Sequence, residues 1–158
     1  MNDLDREFMM RAIELARAGM AANAGGPFGA VVVKDGEVIG EGNNRVTSTN
    51  DPTAHAEINA IRQACEKLQN FQLDGCTIYT SCEPCPMCLG AIYWARPERV
   101  VYACTREDAA DIGFDDDFIY EELEKPNEAR ELELVSFLRD EALQVFAAWS
   151  DKPDKVEY

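Results

Sequence analysis

Histidine is nearly absent from this chain: His55 is the only one in 158 residues. Basic residues are also few, 15 lysines and arginines against 30 aspartates and glutamates, for a formal net charge of −15. No lysine or arginine cluster offers a local exception. Phosphate contacts supply most nucleic-acid affinity, so a polyanion of this kind is ill suited to tRNA, DNA or nucleotides, whereas a neutral small molecule is not repelled. Long apolar runs are missing as well. Nothing approaches the roughly 20 residues of a membrane span, and the N-terminus lacks a signal-peptide pattern. A cytoplasmic protein with neither membrane nor nucleic acid as partner is expected. There is no internal repeat and no low-complexity linker. Residues 1–158 therefore read as one domain, large enough to bury about 68–70% of its unfolded surface.

Cysteine is what the chain does have, at six positions. Cys65, Cys76 and Cys104 sit among helix or strand residues and read as small buried hydrophobes. Cys85 and Cys88 differ, because a Cys-x-x-Cys in a reducing compartment points to metal rather than to disulfides. They open the stretch Pro84-Cys85-Pro86-Met87-Cys88, at the start of an expected helix.

Read in order, apolar residues at helical spacing predict a helix from Asp3 to about Ala18. Phe28 to Val33 reads as a strand, and Asp35-Gly36 as a type I′ hairpin turn leading to Val38–Asn43. Thr47 to Asp51 is a polar loop, and Asp51-Pro52 or Thr53 starts a second helix running to about Lys67. A short strand, Thr77–Thr80, precedes the cysteine helix, which runs from about Cys85 to Ala95. Arg99–Ala103 and Leu132–Phe137 read as the fourth and fifth strands, and Asp140–Ser150 as a last helix. The alternation predicts an α/β fold, a three-layer α/β/α sandwich around a mixed, largely five-stranded sheet.

A catalytic zinc keeps three protein ligands and one open position. His55, Cys85 and Cys88 supply three, and expected helix N-termini beside them favour thiolates. Zinc makes water a nucleophile near neutral pH, and a neighbouring carboxylate can carry its proton. Glu57, two residues after His55, is the candidate. The residues leave a second reading open, a closed Cys₃His site with Cys82 as fourth ligand, in a structural module that binds another protein.

His55-Ala56-Glu57 followed by Pro84-Cys85-Pro86-Met87-Cys88 resembles the signature of the cytidine deaminase-like zinc deaminases. The resemblance implies hydrolytic deamination of an amino-substituted nucleobase with one Zn²⁺ per subunit. Water adds to the carbon bearing the amino group, Glu57 shuttles its proton, and ammonia leaves. Gly25–Val33, Asn50–Glu57 and Thr80–Pro97 resemble both the bacterial guanine deaminases and the tRNA adenosine deaminases of that superfamily. Gly113-Phe114-Asp115-Asp116-Asp117-Phe118-Ile119-Tyr120 and the ending Glu157-Tyr158 are similar to the guanine deaminases. The basic surface of the tRNA enzymes is lacking. The expected activity is therefore conversion of guanine to xanthine and ammonia, in purine catabolism or salvage, with a tRNA adenosine or cytosine deaminase as the alternative.

By residue type alone, Phe28 reads as core, Asn44 as a turn residue, Asp116 as part of a solvated acidic run and Trp94 as a helix face. The resemblance assigns them otherwise. Phe28 stacks on the purine, Asn44 hydrogen-bonds it, and His55 and Ala56 contact it. Asp116 is a second acid near the amino group, and Trp94 lines the pocket. It also implies a homodimer whose C-terminal segment, about residues 127–158, crosses to the partner and helps cap a site with its end near Tyr158.

Overall fold

Residues 1–158 are described by a computed structural model. They divide into two compact units, Met1–Asp117 and Phe118–Tyr158. In the first, a four-stranded mixed sheet has the order β2-β1-β3-β4. Strands β1 (Gly29–Lys34) and β2 (Glu37–Asn43) form an antiparallel hairpin. Its Asp35 and Gly36 both have positive φ, 51° and 79°, as a type I′ turn requires. Strand β3 (Cys76–Cys82) runs antiparallel to β1 and parallel to β4 (Arg99–Cys104).

Alternation along the central strands sorts the core into two layers. Val31, Val33 and Tyr79 point to one face, where Phe8 of helix α1 (Asp3–Ala21) covers them. Ala30, Val32 and Ile78 point to the other, under α3 (Ala56–Leu68) and α4 (Pro86–Ala95), which follow the four-residue helix α2 (Val46–Thr49). Ala56, Ala60 and Ala64 recur every four residues along α3 and are fully buried. Opposite them β2 carries glycine, and the close approach is backbone on backbone. A Cβ on Gly42 would lie 2.2 Å from the Ala56 carbonyl oxygen, and one on Gly40 2.3 Å from that of Ala60. Any larger side chain in this row would lift α3 off the sheet.

The start of α3 differs from expectation. The helix does not begin at Asp51 or Thr53, because Asp51 Oδ1 accepts from the Thr53 amide (2.8 Å) and hydroxyl (2.7 Å), closing a local turn. Helix geometry starts only after His55, its N-cap, which is extended at φ −70°, ψ 159°. Another short helix, α5 (Arg106–Asp111), was not expected, and it is set by a capping box between Thr105 and Asp108. Asn2 and Asp5 form the same device at the start of α1.

The expected fifth strand does not form. Residues 132–137 are irregular, and Leu132, Val135 and Phe137 are exposed, Phe137 by 83%. Alternating apolar residues give strand propensity, but a strand exists only as half of a hydrogen-bonded ladder, and no strand forms anywhere in 118–158. That unit instead holds most of α6 (Asp117–Glu124), a 3₁₀ turn (Asn127–Ala129) and α7 (Arg139–Asp151). Its internal ties centre on Glu122, which accepts from the Glu131 amide at 2.7 Å and pairs with Lys125.

Candidate active site

Two chain segments meet beyond the carboxyl end of β3. His55 is the N-cap of α3 and Cys85 the N-cap of α4, with Pro86 filling the first helical position, where no amide donor is needed. Cys88 follows one turn into α4 and is fully buried. Both thiol sulfurs lie 3.5 Å from His55 Nδ1, and the three ligating atoms all fall within 4.8 Å of one another. In a tetrahedral zinc site, Zn–S and Zn–N bonds of about 2.3 and 2.05 Å place sulfur and nitrogen about 3.6 Å apart. The donor set thus fits zinc in both softness and spacing, and it leaves one coordination position open.

Charge follows the same plan. A hydrogen bond from the Cys88 thiol, with help from His55, holds the Cys85 thiol down to about 4. Donating that hydrogen bond to Cys85, together with burial and the nearby Glu57 carboxylate, pushes the Cys88 thiol upward, so a second thiolate calls for a cation beside it. His55 is raised by its bond to Cys85, against burial. Cys82, the rival fourth ligand, stands apart from the cluster. Its sulfur donates to the Thr105 carbonyl at 3.5 Å, and burial pushes the thiol up to about 12. The closed Cys₃His arrangement is not formed.

Glu57 lies in the first turn of α3, only 6% exposed, and its Oε2 accepts from Cys88 Sγ at 3.4 Å. Burial raises its proton affinity above the usual carboxylate range, as suits a group that must hold a proton for part of a cycle.

A cavity of about 480 Å³ opens over this cluster, lined among others by Phe28, Asn44, His55, Glu57, Cys85 and Asp116. Asn44 is buried, and its Oδ1 accepts from the Gly26 and Val46 amides, each at 3.2 Å. Its Nδ2 is thereby the end available to a ligand, as a donor. The Phe28 ring meets Phe114 edge-on at 4.9 Å between centroids. Asp116 Oδ1 is buried with no hydrogen-bond partner, and burial raises this carboxyl too. An orphaned carboxylate oxygen on a cavity wall marks a place for a donor from a ligand.

One expected residue lies off the cavity wall. Trp94, at the far end of α4, is 64% exposed and is not on the cavity wall. Nine residues of helix carry it about 13 Å along the axis from Cys85. Tyr158 is exposed at the end of the second unit. Ala56 is fully buried against the sheet, so only its backbone can serve a ligand. Conversely, Glu83, Arg106 and Phe114 line the cavity without having been singled out. The Thr105-x-x-Asp108 capping pattern was the one sequence signal that could have located Arg106.

Comparison with known proteins agrees with this geometry. The guanine deaminase of Bacillus subtilis is 58% identical over 151 residues, 96% of this chain and 97% of its own. Its crystal structure superposes with a TM-score of 0.95, at 56% identity over 100% of this chain and 99% of that one. A guanine deaminase structure from Nitrosomonas europaea reaches a TM-score of 0.66 at 35% identity, over 92% of this chain and 84% of that one. The tRNA-specific adenosine deaminase of Aquifex aeolicus is 46% identical, but over only 49% of this chain and 51% of its own. Residues 2–104 match the family described as the cytidine and deoxycytidylate deaminase zinc-binding region. With its metal ligands at two helix N-termini and a carboxylate beside them, this chain belongs to that family of zinc deaminases.

Proposed function

We propose that this protein deaminates guanine hydrolytically, giving xanthine and ammonia. The observation that carries the reading is Glu57 beside the His55–Cys85–Cys88 cluster, on a cavity that also presents the unpartnered Asp116 Oδ1. Zinc, when bound by His55, Cys85 and Cys88, supplies the Lewis acidity that makes water a nucleophile at neutral pH. Glu57 takes the proton of that water and returns it to the departing amine. Asn44 Nδ2 donates to an acceptor on the purine, and Asp116 accepts from its N–H or amino group. Phe28 covers one face of the ring. Guanine offers a carbonyl acceptor and several N–H donors on a purine frame; adenine has no carbonyl, and cytosine presents its carbonyl and donors in a different arrangement on a single smaller ring. Its neutrality suits a chain with a net charge of −15. The near full-length likeness to the Bacillus guanine deaminase supports the same choice.

The protein acts as a homodimer in the cytoplasm, with the segment of about 127–158 crossing to the partner and carrying Tyr158 to its site. Supporting this are a stretch of exposed apolar residues, including Leu132, Val135, Phe137 and Phe146, and six free thiols suited to a reducing compartment. Light scattering should give the mass of two chains. A monomer at assay concentrations refutes the assembly.

The activity is tested by ammonia release from zinc-loaded protein with guanine, adenine, cytosine, cytidine and deacylated tRNA. Turnover is expected with guanine. Turnover of tRNA without guanine would overturn the assignment, and no turnover of any substrate would favour a binding module.

A further inference from the structure

Arg106 is the one lysine or arginine on the wall of a cavity that also carries Glu57, Glu83, Asp115 and Asp116. Its backbone and side chain face different ways. The Arg106 amide donates to Glu83 Oε2 at 3.2 Å, while the Glu83 amide donates to the Cys104 carbonyl at 2.8 Å. Glu83 precedes Pro84-Cys85, so this pair ties the start of α5 to the metal loop. The Arg106 guanidinium reaches Asp117 at 3.4 Å, directly after Asp116.

The loop bearing Asp116 has few other restraints. It leaves α5 through Gly113, with φ 92°, and the Phe114 amide donates to the Ala109 carbonyl at 3.0 Å. Phe114 packs on Phe28 two residues before Asp116. The Asp117 amide donates to Asp115 Oδ1 at 3.1 Å, a bond internal to the loop. Phe114 thus anchors the loop ahead of Asp116, and Arg106 anchors it behind. Asp116 Oδ1 has no hydrogen-bond partner of its own in the cavity, so its position follows that of the chain on either side.

Resting on the guanine deaminase reading, we propose that Arg106 is a positioning residue: its ion pair with Asp117 holds Asp116 on the cavity wall, in register with the metal loop. Exposed pairs of this kind contribute little to stability. The effect is therefore expected in turnover and not in folding. A displacement near 1 Å of a reacting group costs up to about 100-fold in rate.

The test uses full-length zinc-loaded enzyme carrying Arg106→Gln, Arg106→Lys, Asp117→Asn and the Arg106→Gln/Asp117→Asn pair. For Arg106→Gln, kcat for guanine should fall by roughly 10- to 100-fold, with KM, zinc content and unfolding midpoint nearly unchanged. Arg106→Lys should recover much of kcat, and the double variant should be no worse than Arg106→Gln. Additive losses, a change in KM alone, or unchanged kcat would overturn the proposal. A crystal structure of zinc-loaded Arg106→Gln gives a readout independent of substrate. Asp116 should have left the cavity wall, and an unmoved Asp116 refutes the role even if guanine proves not to be the substrate. Failure of the guanine reading itself would show separately, as an inactive wild type.

Discussion

Gly42→Ala and Gly40→Ala add one methyl group each, two residues apart on the same strand, yet they should separate stability from catalysis. A methyl group on Gly42 would lie 2.2 Å from the Ala56 carbonyl oxygen and 2.6 Å from the Ala60 amide nitrogen. One on Gly40 would lie 2.3 Å from the Ala60 oxygen and 2.8 Å from the Ala64 nitrogen. Ordinary contact begins near 3.4 Å, so either methyl must push α3 off the sheet by roughly 1 Å, since backbone atoms cannot rotate away. Overpacking on this scale costs about 1–3 kcal/mol, and the two variants should lose similar stability in urea. Their effects on the site should not match. Ala56 lies between His55 and Glu57, whereas Ala60 is about 6 Å further along the helix. Gly42→Ala should therefore lower kcat by roughly 10- to 100-fold and weaken zinc binding. Gly40→Ala should change both by a few-fold at most. The assays are urea unfolding, zinc competition with a chromogenic chelator, and ammonia release at saturating guanine. Equal catalytic losses would mean that α3 responds as a rigid whole, and the reasoning from local approach would fail.

Other outcomes are expected. Glu57→Gln should retain zinc by metal analysis while kcat for guanine falls by about 10²–10⁴; loss of metal would mean that Glu57 supports the ligands instead. Cys82→Ser should keep its zinc, since that sulfur bonds Thr105, and Cys88→Ser should lose it. Acid should weaken the first unit through Asp5, which accepts from Tyr79 at 2.6 Å and pairs with Arg99. The Tyr79 hydrogen bond, with those from Asn2 and Arg99, holds its carboxyl down to about 2 from an ordinary 3.8. The folded form thus binds this proton less readily than the unfolded chain. Its stabilisation is complete above about pH 4 and is lost as pH falls towards 2. Urea midpoints at pH 7, 4 and 2.5 should show the decline, and Asp5→Asn should flatten it.

The parts legible in the sequence were those whose causes are local. Asp35-Gly36 names its own turn, because few residue pairs accept two positive φ angles. One histidine and one Pro-Cys-x-x-Cys leave little choice of zinc ligands. The start of α3 was less legible, because Asp51 was free either to cap a helix or to fold back on Thr53, and only the structure decides. Leu132–Phe137 has the composition of a strand, but composition cannot supply the ladder. Trp94 is assigned to the pocket by resemblance alone; residue type gives it as a helix face, and nine residues of helix separate it from Cys85. Arg106 was invisible for a different reason. Nothing distinguishes it from any residue following a capping threonine until the loop ending at Asp117 has folded back towards it.

The helix starts contain a further consequence. Helices α1 and α5, whose N-caps are not metal ligands, open with complete capping boxes, whereas α3 and α4 open on His55 and Cys85 with no side-chain cap at all. A side-chain cap is worth about 1 kcal/mol to a helix. With both N-cap side chains committed to the cluster, a bound metal is expected to steady the first turns of these two helices in place of a side-chain cap. Amide hydrogen exchange should report this directly. Chelation should speed exchange in the first turns of α3 and α4 and leave those of α1 and α5 unchanged. Metal binding and the order of the helix starts that carry Glu57 and Cys88 should therefore be lost together.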